Sequence, residues 1–258
     1  AATAGVSIAV AVLTLDSNAY VFVAGDIEGA EKVTVKATAC FPQTTAAVFG
    51  FAAGGVGVTA SVAIVVAHGN VYAGIIGVSS VKNVTGAVRV KTDTTFDATT
   101  FGASMAAGGV GVNAALSLSI DRMRVDTLVG GGVSFDGVNA LDMCAAAKVT
   151  ARSYLIGAAV GGAAGGLAVA ISILSPTILT YIGSTPGIGT KEASAVPGAS
   201  GSSTTFNVGS VTMKNDVTTT GIASVLSVAV GGVAVSGNVL LVINNSVNYV
   251  AIYQKGVN

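Results

Sequence analysis

Residues 54–66 read GGVGVTASVAIVV, a pair of glycines followed by alternating small and branched apolar residues. A period of two with β-branched residues is typical of β-strands, and paired glycines disfavour a helix. Related segments are GGVGVNAALSLSI from Gly108, GGLAVAISIL from Gly165 and GGVAVSGNVLLVI from Gly231, with a partial copy, AGVSIAVAVLTL, from Ala4. Repetition of this kind predicts stacked units built from strands.

A second repeated segment marks where each unit begins. It reads VTVK from Val33, VRVK from Val88, LDMC from Leu141 and VTMK from Val211. We therefore interpret the chain as one repetitive domain with units at 1–32 (partial), 33–87, 88–140, 141–210 and 211–258. The stretch 184–203 is rich in Gly, Ser and Pro, so it is predicted to be an inserted surface loop.

Polar residues follow each glycine-led segment and predict bends in the chain. Asn, Asp, Ser and Gly suit such positions because they tolerate left-handed backbone or bond their own main chain. The predicted bends are Asp16-Ser17-Asn18, His68-Gly69-Asn70, Asp121-Arg122, Ser175-Pro176 and Asn244-Asn245-Ser246.

Stacked strands without helices favour a repetitive all-β fold, the parallel β-solenoid, in which neighbouring coils share one continuous core. With about 18 residues per coil and a rise of about 4.8 Å, the chain would form a rod roughly 60–70 Å long. Stacked antiparallel hairpins or a sandwich remain the alternative, since each polar bend also fits a hairpin turn.

Alternation divides the glycine-led segments into two faces. We expect the branched face, represented by Val56, Val110, Leu167 and Val233, to form the core and to stack along one axis. The opposite face is small and uncharged, and we predict that it points outward as a packing or assembly face, because small residues let another surface come close. Its members are Gly57, Thr59, Ser61, Gly111, Asn113, Ala115, Ala168, Ala170, Ser172, Ala234, Ser236 and Asn238.

The composition excludes several classes of protein. The 258 residues include 12 Lys and Arg, 12 Asp and Glu, one His and no Trp, with a mean hydropathy of +0.77. Without excess positive charge, nucleic-acid binding through a basic patch is excluded. The uncharged stretch 154–182 is long enough to cross a bilayer as a helix, but its Val, Ile, Thr, Ser and Gly content favours strands.

Few residues are candidates for chemistry. The densest charged group is Asp121, Arg122, Arg124 and Asp126, which we single out as a contact cluster that a glycan-binding or polysaccharide-lyase-like β-helix would need. The lone His68 is predicted to be a surface bend residue, and Cys40 and Cys144 free, buried thiols. Asp26, Glu28, Glu31, Asp93 and Asp97 lack the spacing of a calcium loop, so we predict no metal and no cofactor.

The rhythm of residues 54–77 and 108–129 resembles the repeats of filamentous-haemagglutinin-like and autotransporter filamentous adhesins of bacteria, including the leukotoxin-type adhesins. The resemblance extends weakly over the chain outside 184–203. It implies a right-handed parallel β-helix, an extracellular or cell-surface location, and adhesion or fibre formation without catalytic residues.

The expected function is therefore structural and non-enzymatic, a β-solenoid segment of a surface adhesin or self-assembling filament. Its expected partners are copies of itself and a host or neighbouring cell surface, with no nucleic acid and no membrane span. The alternatives are the glycan-binding or lyase-like β-helix and a membrane-embedded protein.

Overall fold

The computed structural model describes residues 4–77, 79–183 and 204–253, and in this part of the chain every regular element is a strand. The predicted loop at 184–203 lies outside the described residues. The strands are β1 (Ala4–Val23), β2 (Ile27–Glu28), β3 (Val33–Ile75), β4 (Ser80–Lys82), β5 (Ala87–Gly130), β6 (Ser134–Leu174), β7 (Thr177–Gly183), β8 (Thr205–Val230), β9 (Val233–Asn244) and β10 (Val247–Tyr253).

All pairings among these strands are parallel, and the order β1-β3-β5-β6 follows the chain. The unit starts stack directly, since Val33 pairs with Val88, Val88 with Leu141, and Leu141 with Val211. The prediction of an all-β parallel solenoid is confirmed, and the antiparallel alternative is wrong. A parallel chain must travel around the molecule before it pairs again, and here that circuit is one whole unit.

The predicted coil of about 18 residues is wrong, because Val88 and its stacking partner Leu141 are 53 residues apart. We call each such circuit a rung. The described residues therefore form five rungs, the first and last of them partial, that rise about 24 Å in total rather than 60–70 Å. The molecule is wide across its strands and short along its stacking axis.

From the second rung to the fifth, each rung is folded into a U with two long arms, and the first rung contributes the second arm only. In the third rung, residues 87–107 form arm 1 and residues 110–130 form arm 2, and the two run in opposite directions. Side chains meet across the gap: Thr92 Oγ1 lies 2.7 Å from Thr127 Oγ1, and Thr100 Oγ1 lies 2.7 Å from Ser117 Oγ. These cross-arm bonds show that the two sheets pack face to face.

The glycine pair forms the corner between the arms. Gly54, Gly108, Gly161 and Gly231 occupy the same position in successive rungs. A Cβ at Gly161 would lie 2.5 Å from the carbonyl oxygen of Gly108, so the backbones of neighbouring corners leave no room for a side chain. The corner thus requires glycine for close approach.

The predicted alignment of the fourth glycine-led segment is wrong by four residues. Its corner is Gly161, not Gly165, around which an added Cβ would meet nothing within 4 Å. Val56, Val110 and Val233 therefore stack with Ala163, while Leu167 stacks between Ala114 and Gly237. The sequence GGAAGG offers two glycine pairs, and only the first fits against the corner of the rung before it.

The predicted orientation of the two faces is also wrong. Val110 and Val233 on the branched face are 41% and 67% exposed, whereas the small face lies inside the U. Small residues belong there because the two arms are close together. Nine predicted assembly residues are buried in this interior, namely Gly57, Thr59, Ser61, Gly111, Asn113, Ala115, Ala168, Ala170 and Ser172. Ala234, Ser236 and Asn238 continue the same columns but are exposed, because they lie on the last rung.

The large apolar core sits at the open end of the U, away from the corner. There the return segment between one rung and the next closes the circuit, and the arms enclose bulky side chains. Phe135 from this segment is fully buried with Phe96, Leu141 and Met143. Nearer the corner the buried apolar cluster is small and centres on Leu155.

Three of the five predicted bends are absent, because the strands continue through Asp16–Asn18, His68–Asn70 and Asp121–Arg122. The first two of these segments lie side by side in neighbouring rungs, and their polar side chains bond to each other. Asn70 Nδ2 donates a hydrogen bond to Asn18 Oδ1 at 2.8 Å. The strands do break at Ser175–Pro176 and at Asn245–Ser246.

The corner model predicts opposite results for two glycines four residues apart. Gly161→Ala should lower the free energy of unfolding by about 1–3 kcal/mol, because the methyl group meets backbone of the preceding rung. Gly165→Ala should be neutral or stabilising by up to about 1 kcal/mol, because its surroundings are open. Denaturant unfolding followed by circular dichroism compares the two, and equal losses would contradict the assigned corner.

Candidate assembly surfaces

The two end rungs each present an unsatisfied sheet edge. Within the described residues, β1 pairs with β3 and with no other strand, and β8 and β9 pair only with β6. An open parallel edge offers a row of backbone donors and acceptors to a further strand. Both ends also show apolar side chains, such as Ile8 at 73% and Val235 at 68% exposure.

The outer side of arm 2 forms a broad apolar surface, which we call the aliphatic face. It consists of the outward-pointing residues of five stacked segments. Asp16, His68 and Arg122 border it at the end away from the corner. On the face itself, Thr14 is the single polar residue, and the rest are Val, Ile, Leu, Ala and Gly. Its segments are 4–14, 56–66, 110–120, 163–173 and 233–243.

The outer side of arm 1 carries a second, smaller apolar patch near the corner. Phe49, Phe51 and Met105 are 69%, 63% and 51% exposed. The Phe49 and Phe101 rings lie with centroids 5.6 Å apart, so aromatic contacts link neighbouring rungs. Both outer sides of the U are thus apolar where the interior between them is narrow.

Hydroxyl and amide groups are concentrated in that interior. Asn113 accepts a hydrogen bond from Ser104 Oγ at 3.0 Å and donates to the Ser104 carbonyl at 3.2 Å. Ser153 Oγ donates to the Ile171 carbonyl at 2.6 Å, and Ser172 Oγ to the Ile222 carbonyl at 2.6 Å. These buried polar groups bond across the arms, whereas the hydroxyl groups of Thr59 and Ser61 have no hydrogen-bond partner.

The four charged residues of the predicted contact cluster do not converge. Because successive side chains of a strand alternate, Asp121 points into the interior while Arg122, Arg124 and Asp126 point outward. Arg122 is exposed, but Asp126 is fully buried and Arg124 is largely covered. The arrangement is therefore not the open charged groove that a glycan-binding β-helix would need.

Arg124 and Asp126 form a buried ion pair. The guanidinium Nη2 lies 2.8 Å from Oδ2, and Nε lies 3.1 Å from both carboxylate oxygens. The guanidinium carbon is 5.8 Å from the centre of the Tyr72 ring. Burial raises the pKa of Asp126, with Arg124 opposing it, and burial also raises the pKa of Tyr72 to about 12. Because the opposite charges of Arg124 and Asp126 balance each other, we interpret the pair as a contact that stabilises the fold.

Asp121 is a buried carboxyl without a charged partner. It stacks between Ala67 and Leu174, and its Oδ1 accepts the Met123 backbone N–H at 3.1 Å. Oδ2 has no hydrogen-bond partner. Burial raises the pKa of this carboxyl to about 7, and the Met123 bond opposes the shift.

Three lysines from different rungs line up on the outer side of arm 1. Lys36, Lys91, Cys144 and Lys214 form one column. Beside it is a depression of about 340 Å³ lined by Arg89, Lys91, Asp142, Met143, Cys144, Thr212 and Lys214. Arg89 Nε lies 3.4 Å from Asp142 Oδ2, so part of the positive charge is balanced.

The cysteines and the acidic residues outside the contact cluster have simple surroundings. Cys40 and Cys144 are free, but Cys40 is exposed and Cys144 half-buried, so the prediction that both are buried is wrong. Asp93 lies 3.5 Å from Lys36 Nζ, and Asp97 is bonded to Arg152. Among the residues described, no three His, Cys, Asp or Glu side chains come together as a metal site would require.

Comparisons with known proteins return no match to any family model, to any curated protein or to any solved structure. In the part of the chain that the structure describes, no helix has the length and apolar character needed to cross a membrane.

Asp121 predicts a specific dependence of stability on pH. Its pKa is higher in the folded chain than the usual value near 3.9, so the unfolded chain binds fewer protons between about pH 4 and 7. The free energy of unfolding should therefore fall as pH rises through this window and level off above it. Asp121→Asn should unfold at higher denaturant concentration than the wild type at pH 8, and the two should converge toward pH 4.

Asp16→Asn is the control, because Asp16 is an exposed residue of the same type. A constant difference between wild type and Asp121→Asn from pH 4 to pH 8 would show that Asp121 is not protonated through burial.

The ion pair predicts unequal effects of removing two arginines of one strand. Arg124→Met should lower the free energy of unfolding by about 3–5 kcal/mol, because it leaves the Asp126 carboxylate buried without its partner. Arg122→Met should change it by less than about 0.5 kcal/mol, because Arg122 is exposed. Thermal unfolding measures both, and recovery of stability in Arg124→Met with Asp126→Leu would identify the unpaired charge as the cause.

Proposed function

We propose that the chain is a structural, non-enzymatic segment of an extracellular or cell-surface β-solenoid filament, of the adhesin type that its repeats resemble. Its mechanical role is to continue a stack of rungs. The observation that carries this proposal is the pair of open, parallel edges on β1 and β9 within the described residues, since both strands pair in register with the rung next to them.

Strand addition at these edges explains why both ends expose core-forming columns. The first rung turns Ala9 and Ala11 inward, above Ser61 and Ala63 of the second rung. The last rung turns Asn238 and Leu240 inward, below Ala168 and Ala170. Another rung of the same shape would bury these residues and pair the free backbone groups at the usual strand spacing of about 4.8 Å.

A filament segment needs no catalytic arrangement, because its work is done by backbone pairing and burial of side chains. The glycan-binding alternative is not favoured, since Asp121 and Arg122 point to opposite sides of the sheet.

End-to-end growth is tested by an inward charge at the first rung. Ala9→Lys should keep the protein as short particles, because a further rung would bury the ammonium group. The wild type should form longer rods as its concentration rises, seen by negative-stain electron microscopy and sedimentation velocity.

Met105→Lys is the matched control, because Met105 is exposed on an internal rung and its strand is paired on both sides, with Phe51 and with Ala158. It should assemble as the wild type does. A wild type that stays as single particles at millimolar concentration would refute end-to-end growth.

A further inference from the structure

We infer that the aliphatic face is a lateral contact surface at which two copies of this chain pack face to face. The inference rests on the proposed function, to which it adds the partner and the surface of lateral association. The aliphatic face takes the place of the small-residue face as the assembly surface, because the small-residue face lies inside the rungs.

The composition of the face is the first argument. A water-exposed sheet face normally carries charged side chains in alternation with core residues. Here the outward columns are aliphatic through all five rungs, and the exposed fractions of Val6, Val112 and Leu167 are 67%, 42% and 51%. Polar groups that would ordinarily face water, such as Ser61 and Asn113, are turned into the interior instead.

The size of the face is the second argument. Five strands at about 4.8 Å spacing and eleven residues at about 3.3 Å each cover about 24 Å by 36 Å, or roughly 870 Å² per copy. A stable protein interface buries about 800 Å² per partner, whereas the largest apolar patch on an ordinary monomer is about 300–600 Å². The area of the face is thus what a specific dimer requires.

The shape of the face favours an identical partner. Rows of branched side chains on a flat sheet interdigitate with equivalent rows, as in the packing of two sheets about 10 Å apart. A two-fold axis through the face places the same surface on both copies, which is the commonest symmetry of protein dimers.

The strands at the two edges of the aliphatic face argue against a lipid bilayer as its partner. The outer segments 4–14 and 233–243 belong to β1 and β9, whose free backbone groups would lack partners in hydrocarbon. Between two copies, those edges stay at the rim, where water reaches them.

The test uses Ala9→Lys as background, so that end-to-end growth is blocked and lateral association is measured alone. Sedimentation velocity should show a concentration-dependent dimer. Adding Val112→Lys, at the middle rung of the face, should raise the dimer dissociation constant at least about a hundredfold, because two unpaired ammonium groups would be buried.

Met105→Lys in the same background is the matched control. Met105 lies on the same rung with similar exposure, 51% against 42%, but on the outer side of the other arm. It should leave the dimer unchanged. Circular dichroism confirms folding of each variant, and Ser7→Lys replaces Ala9→Lys if the latter does not fold, since Ser7 also points inward on the first rung.

A monomer at all concentrations in the Ala9→Lys background would overturn the inference and leave end-to-end growth of the wild type unaffected. A dimer that Val112→Lys does not weaken would also overturn it. So would flotation of the Ala9→Lys protein with phosphatidylcholine vesicles that Val112→Lys abolishes, because the face would then contact lipid.

Discussion

The close stacking of backbone on backbone at the glycine corners is the constraint on which the rest of the fold depends. From the second rung onward each rung reverses at a Gly-Gly pair, and from the third onward the corner lies against the carbonyl of the corner before it, as Gly161 does against Gly108. Because these corners coincide, the third and fourth rungs pair without a register shift from Ala87 to Asp121, and the second rung has one shift, between Phe41 and Thr44. A side chain at the corner would displace one rung and every pairing beyond it.

This constraint also sets the unusual distribution of polarity. Where the arms are close, the space between them is occupied mainly by Gly, Ala, Ser, Thr and Asn around Leu155, and hydroxyl groups such as those of Thr100 and Ser117 bond across it. Branched side chains occupy the other side of the same strands and therefore face outward. A narrow interior thus produces an apolar exterior, and the surfaces suited to assembly follow from the packing of the arms.

At the wider end of the U, away from the glycine corner, the arms enclose larger side chains. Phe96, Phe135 and Met143 fill it, and Asp121 points to the same inner side, whereas Arg124 and Asp126 lie on the outer side of the strand. Arg124 and Asp126 compensate each other, whereas Asp121 is accommodated by a raised pKa. Each of these groups is largely enclosed by neighbouring strands.

The sequence by itself determined that the chain is all-β, that it repeats, and that the starts at Val33, Val88, Leu141 and Val211 are equivalent. These features are local, since a period of two and a recurring motif need no knowledge of distant contacts. It did not determine which face is inside, because alternation shows which residues share a face but is unchanged when the strand is turned over. The tertiary structure decided that Thr59 lies inside and Val58 outside, through the narrow separation of the arms. It also decided the coil length and the choice of Gly161 over Gly165, because both depend on which backbone lies one rung away.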